Sequence, residues 1–187
     1  MDKDRAIAFL EHHQPMPDDT KVSQDLMNEY NSVREYFLLE PHEECIPLFL
    51  HSFGERDGYG VYQLVEDVLL KFDKSKVVRH LLKSLRSKHR SVRYWSAQIS
   101  ASFADKRLLE PLCGLLRDDD SDIRFAVITA LSQIEDKKVL PTLKEALSKE
   151  KDEEVKEFLQ EVIVDLEDKR NANRSLVKKR FRLWEPK

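Results

Sequence analysis

The chain of 187 residues carries a net charge of −3 and is long enough for one domain with a continuous core. Four glycines, seven prolines and a charged fraction of 36% suit solvated helices and argue against a β fold with many turns. The charge is uneven, because residues 169–187 hold eight basic residues and one acid, which leaves 24 basic and 34 acidic residues in 1–168. An acidic body followed by a basic C-terminal tail is therefore expected.

The cysteines and the N-terminus indicate the compartment. Cys45 and Cys113 are too few for a disulfide framework and lack zinc-ligand spacing. The first residues are charged, and no apolar run is long enough for a secretion signal or a membrane span. We expect a protein of the reducing cytoplasm without a bound metal or cofactor.

The first 54 residues carry a weak helical pattern. Residues 3–13 predict a capping helix that ends before the prolines at 15 and 17. Apolar residues between Tyr30 and Leu50 predict a divergent helical unit with an altered turn at 40–42. We therefore predict that residues 1–54 form an N-terminal cap and a divergent first unit.

From residue 61 the apolar pattern becomes periodic. Runs with the spacing of an amphipathic helix begin at Val61, Val92, Ile123 and Val155, which lie 31 or 32 residues apart. Each of the first three runs is followed by a second, shorter apolar run, so each unit predicts a pair of helices. Units this short cannot bury their apolar faces alone and must stack on their neighbours. Residues 55–168 are predicted to form this array.

A polar frame repeats with the same period. Leucine-arginine, five polar residues and an aliphatic-arginine pair occur at 85–93 and again at 116–124. The acids of the second frame, at 118–122, suggest either a cation site or caps for the following helix, and the second interpretation fits better because no EF-hand glycine or glutamate follows. Arg93 and Arg124 are expected to bridge neighbouring units.

Residues 118–134 complete a family resemblance. The Asp-rich turn, the Ile-Arg pair, the small residues and the Ala-Leu step resemble the HEAT-like repeat named after phycobilisome lyases. The resemblance implies an all-α, right-handed α-solenoid of about four to five antiparallel helix pairs. It also implies that the second helix of each pair lines a concave face.

Basic residues cluster on one predicted second helix. Arg79, Lys83 and Arg86 share a helical face, and the resemblance places that face on the concave side. Arg117 occupies the position of Arg86 in the next unit. This face is either solvated or a binding surface for an acidic protein or a phosphate backbone.

Three of the four glycines lie in one short segment, residues 54–60. Its spacing does not match a phosphate-binding loop. It is either a flexible connector or a contact loop, and the contact interpretation assigns partner binding to Glu55, Arg56, Asp57, Tyr59 and Tyr62. Trp95 either fills space between helices or is an exposed anchor for a partner. The second interpretation follows because Trp95 is not among the positions assigned to the core.

No catalytic constellation is present in the sequence, so we expect a monomeric, non-enzymatic module that binds another protein and does not enter a membrane. Some bacterial relatives in the HEAT-like family look like immunity proteins, which implies an inhibitor that grips and blocks a cognate toxin domain. One alternative is a nucleic-acid-binding protein similar to HEAT-like alkylpurine DNA glycosylases. Another is an accessory protein similar to bilin lyases.

Overall fold

The computed structural model describes residues 1–18 and 20–182, with side chains up to residue 172. Within these residues every regular element is helical. Most of the predicted basic tail, from residue 173 onward, lies outside the described side chains. The α-helices are α1 (Lys3–His12), α2 (Gln24–Leu39), α3 (Cys45–His51), α4 (Val65–Leu69), α5 (Lys74–Ser84), α6 (Arg90–Phe103), α7 (Leu109–Leu115), α8 (Ser121–Ser132), α9 (Val139–Lys149) and α10 (Glu153–Arg182).

The helices form two layers. First helices pack side by side, as α6 does on α8 and α8 on α10, while the second helix α3 packs on α5. Helix α1 packs against both helices of the first pair, α2 and α3, and so closes that end of the array. Four helix pairs followed by α10 form an α-solenoid, which confirms the predicted all-α architecture.

The predicted apolar frame is buried in each periodic unit. In α8 the core includes Ile123, Val127 and Leu131, which lie four residues apart and face the neighbouring helices. The helix begins where the Asp120 carboxylate accepts a hydrogen bond from the N–H of Ile123, at 3.2 Å. This contact confirms that the acidic turn caps α8.

The N-terminal units are held by aromatic packing in place of the aliphatic frame. The ring of Tyr30 meets Phe49 and Tyr62 edge to face, with centroids 6.1 and 5.4 Å apart. The buried Tyr30 hydroxyl lies 2.7 Å from the Ser52 hydroxyl, which satisfies both groups. Large rings that fill space across several elements need no strict period, and this explains the weak repeat signal before residue 55.

Helix α10 continues without a break past residue 168. Its buried residues Val155, Leu159 and Ile163 pack on α8 and α9. In the part of the chain that the structure describes, no helix, α10 included, is both long and apolar enough to cross a membrane.

Repeated arginines tie the loops that join consecutive units. Arg93 donates from Nε to the Asp118 carboxylate at 2.8 Å and from Nη1 to the carbonyl oxygens of Ser87 and Lys88, both at 3.2 Å. Each of these arginines therefore holds the loop before its own helix and the loop after its unit.

Arg124 repeats the same geometry one unit later. It donates from Nε to Glu150 at 2.9 Å and from Nη1 to the carbonyls of Asp118 and Asp119 at 2.8 and 3.2 Å. The side chains of Arg124 and Glu150 are only 11% and 10% exposed. The prediction that these arginines bridge neighbouring units is confirmed.

Replacing Arg124 with Met should lower the free energy of unfolding by about 2–3 kcal/mol at pH 7, because the nearly buried Glu150 loses its partner and two carbonyls lose a donor. Denaturant unfolding measures the change. As a control, Arg117→Met removes an exposed arginine 3.9 Å from Glu145 and should leave stability unchanged. Equal losses in the two variants would contradict a structural role specific to Arg124.

The Arg124 contribution should also depend on pH. Burial raises the pKa of Glu150, but the N–H groups of Asp152 and Lys151 and the Arg124 guanidinium outweigh it, so this pKa lies below its usual value of 4.5. A lowered pKa in the folded state means that ionised Glu150 stabilises the fold above the usual value and that this stabilisation is lost as pH falls through the lowered pKa. The difference between wild type and Arg124→Met should therefore shrink in acid.

Candidate functional site

The glycine loop, residues 54–60, lies on the edge of the array where second helices end and first helices begin. It joins α3 to a short 3₁₀ turn, Tyr62–Leu64, ahead of α4. Three consecutive residues have positive φ: Gly58 at 58°, Tyr59 at 51° and Gly60 at 83°. Glycine takes such angles without steric cost, so the two glycines allow the chain to reverse within this loop.

Helix α6 holds the backbone of this loop. Ser91 Oγ donates to the carbonyl of Phe53, the residue directly before the loop, at 2.8 Å, and Trp95 Nε1 donates to that of Arg56 at 3.2 Å. Arg90 Nη1 donates to the carbonyl of Glu55 at 3.3 Å. A flexible connector would not account for three side-chain bonds from one helix, so the loop is a docked element.

Two residues assigned to partner contact instead lie buried beneath the loop. Tyr62 is fully buried, and Trp95 is 9% exposed. Trp95 stacks on Phe53 with ring centroids 5.5 Å apart and meets the edge of Tyr62 at 6.0 Å. The prediction that Tyr62 and Trp95 contact a partner is therefore wrong, because the loop folds over both rings.

The glycines are required by this close approach. A Cβ built on Gly54 would lie 2.7 Å from the Tyr62 hydroxyl, and one on Gly58 would lie 2.8 Å from the Tyr62 ring. The loop backbone therefore rests directly on the buried tyrosine.

Four of the five residues assigned to the contact loop do reach solvent. Glu55, Arg56, Asp57 and Tyr59 are all exposed on the outer side of the loop. The Tyr59 side chain is 58% exposed although its backbone has a positive φ, a combination that is uncommon for a bulky residue. The loop thus presents one aromatic ring among three charges.

Arg90 connects the loop to the next unit and was not assigned to the site from the sequence. Its Nε donates to Asp120 at 2.7 Å, and its Nη2 donates to Asp122 at 2.8 Å. The hydrogen bond from Arg90 is the main reason that the pKa of Asp120 lies below its usual value. One sequence feature could have identified Arg90: the equivalent position in the next unit is Ser121, so the repeat itself does not require an arginine there.

The predicted basic face of α5 is split by ion pairs. Arg86 pairs with Glu110 at 2.5 Å, and Arg117 lies 3.9 Å from Glu145. Arg79 and Lys83 are exposed, and neither has a carboxylate partner among the described side chains. Among the described side chains, Arg79 and Lys83 therefore have no acidic partner, whereas Arg86 and Arg117 each face a glutamate.

An open groove of about 880 Å³ lies between α7 and α9. Its lining includes Cys113, Thr142, Ala146 and the paired Arg117. Burial raises the pKa of the Cys113 thiol, so this cysteine is not an activated nucleophile. Among residues 1–18 and 20–172, no cluster of three or more His, Cys, Asp or Glu side chains is arranged to hold a metal.

Residues 78–163 match the protein family described as HEAT repeats. A search of the curated proteins found no match to this chain. The matched segment begins within α5 and ends within α10, and the glycine loop precedes it. Residues 78–163 are therefore similar to HEAT repeats, and modules of this kind often mediate protein interactions.

Replacing Gly58 with Ala should lower the free energy of unfolding by about 1–3 kcal/mol, since the new Cβ clashes with Tyr62 in a left-handed conformation. Gly114 is the matched control, because it lies at an exposed position of α7 with open space around a built Cβ. Gly114→Ala should stabilise the protein by about 0.5–1 kcal/mol. Thermal and urea unfolding measure both effects, and a stabilised Gly58→Ala variant would show that the loop does not rest on Tyr62.

Proposed function

We propose that this protein is a non-catalytic helical-repeat module that binds another protein through the outer side of its glycine loop. The observation that carries the proposal is the set of hydrogen bonds that Ser91, Arg90 and Trp95 of α6 donate to two loop carbonyls and to the carbonyl of Phe53 directly before the loop. A loop already fixed before binding loses little conformational entropy when a partner docks, so more of the contact energy contributes to affinity.

The exposed residues suit a protein partner. Tyr59 supplies a large rigid ring of the kind that dominates interface energetics, and this residue is 58% exposed. Glu55, Arg56 and Asp57 surround it with charges of both signs. Charged groups at the rim of an interface contribute specificity and association rate more than affinity.

A finer form of the proposal is that the partner is a bacterial toxin domain and that this cytoplasmic protein acts as its immunity protein. Support comes from the family resemblance and from the acidic body, since residues 1–168 hold 34 acidic and 24 basic residues. An acidic surface attracts a basic nuclease-type domain and speeds their encounter. Blocking such a domain needs only tight coverage of its active surface.

Site-specific crosslinking tests where the partner binds. A photoreactive phenylalanine analogue placed at Tyr59 should capture one protein from the native host. The same analogue at Leu70, which is 52% exposed at the opposite edge, should not capture it. Equal capture at both positions, or recovery of nucleic acid alone, would refute binding through the loop. Neutralisation of the captured protein's toxicity tests the finer form separately.

Tyr59→Gly should separate binding from stability. Removing the ring should weaken partner affinity by about tenfold or more, a typical loss for an interface anchor. The variant should remain folded, because glycine adopts the observed φ of 51° without strain. Calorimetric titration with the captured partner and thermal unfolding give the two values, and Leu70→Ala should leave affinity unchanged.

A further inference from the structure

The solvent face of α5 carries a compact group of basic side chains, which we call the α5 patch: Arg79, His80 and Lys83, together with His51 of α3. Arg79 and Lys83 are one helical turn apart and exposed, and His80 between them is partly buried. His51 lies near His80 because α3 packs on α5, and it is close enough to affect the titration of His80. The patch therefore combines side chains from two helices.

Two cations that flank the patch along the chain are already paired. Lys76 forms an ion pair with Glu43, and Arg86 forms one with Glu110. Between them, Arg79 and Lys83 face no carboxylate among the described side chains. Because these two flanking cations are paired within the protein, the local excess of positive charge lies at Arg79 and Lys83.

We propose that the α5 patch binds an acidic segment of a protein partner. The inference goes beyond the proposed function, because the glycine loop forms no part of this patch. Carboxylates of an extended or helical acidic segment would complete the pairing that Glu43 and Glu110 provide for the flanking cations. Such a contact is electrostatic and should weaken as salt screens it.

The surroundings of the patch favour a polypeptide over a nucleic acid. A phosphate backbone needs a track of cations along several units. Here the positions equivalent to Arg79 and Lys83 are Glu110 and Gly114 in the next unit, and Pro141 and Glu145 in the one after. An acidic segment a few residues long fits within one unit, whereas a continuous phosphate chain would pass directly over Glu110 and Glu145.

The pKa of His80 should report whether a ligand occupies the α5 patch. Burial lowers its pKa first, and the positive charges of Lys83, Arg79 and His51 lower it further. Carboxylates placed on the patch would offset these positive charges and favour protonated His80. Occupation of the patch should therefore raise the pKa of His80, which a contact elsewhere on the protein would not do.

NMR titration of the full-length protein with an octaglutamate peptide at low salt tests this inference. We expect saturable binding and a rise in the pKa of His80. His80→Gln identifies the His80 signal. If the peptide binds without raising this pKa, for example because it binds the basic tail, the proposal is overturned.

Charge reversal supplies the matched comparison. Arg79→Glu with Lys83→Glu should weaken octaglutamate binding about tenfold or more, because attractive charges become repulsive. Lys137→Glu with Lys138→Glu makes the same change in net charge at exposed positions before α9 and should have much less effect. Equal losses in the two variants would overturn the proposal, as would tighter binding of a duplex DNA of equal charge. A partner captured at Tyr59 has no bearing on either outcome.

Discussion

The array depends on a guanidinium group placed between consecutive loops. Arg93 and Arg124 each bond two carbonyls of the loop before their helix and a carboxylate of the loop after their unit. The loop at Asp118 is reached by both, through its carboxylate from Arg93 and its carbonyl from Arg124. Carbonyls of the loops between helices also need hydrogen-bond partners, and here one side chain satisfies two of them while linking its loop to the next unit. This constraint explains why the period is so regular.

Arg90 extends this edge towards the N-terminus by a different geometry. It reaches backward to the carbonyl of Glu55 and forward to Asp120, the residue that caps α8. The irregular loop is therefore attached to the most regular part of the array through one side chain. Such an attachment allows an insertion with an exposed tyrosine to sit on the scaffold without loosening the units on either side.

The sequence predicted the regular half of the protein well, because aliphatic spacing and capping acids are local signals. It failed at Trp95, whose equivalent in the next unit is Ala126, which is 2% exposed. First helices contact neighbours on both sides, so more of their surface is buried than one amphipathic stripe indicates. A tryptophan at that position fills the space under a loop that is specific to one unit, and a period cannot reveal a single exception.

Other features of the candidate surfaces depend on the reach of side chains across units. Nothing in the local pattern shows that Arg86 meets Glu110 while Arg79 meets no carboxylate among the described side chains, since the sequence predicts one helical face for both. Tyr62 was misassigned for a related reason, because a tyrosine beside glycines resembles a contact loop until the chain is seen to close over it. Nearest-neighbour repeats are predictable from one unit, but contacts between unlike units are not.

The seam between Phe53 and Trp95 affects how the chain can be divided. Residues 78–163 carry the recognisable repeats, but a fragment cut at those limits would uncover Trp95 and remove the carbonyls that its indole and Ser91 bond. The aromatic N-terminal third therefore covers the apolar surface of α6 around Trp95. A recombinant fragment of residues 78–163 would begin within α5 and would expose an apolar surface that is prone to aggregation.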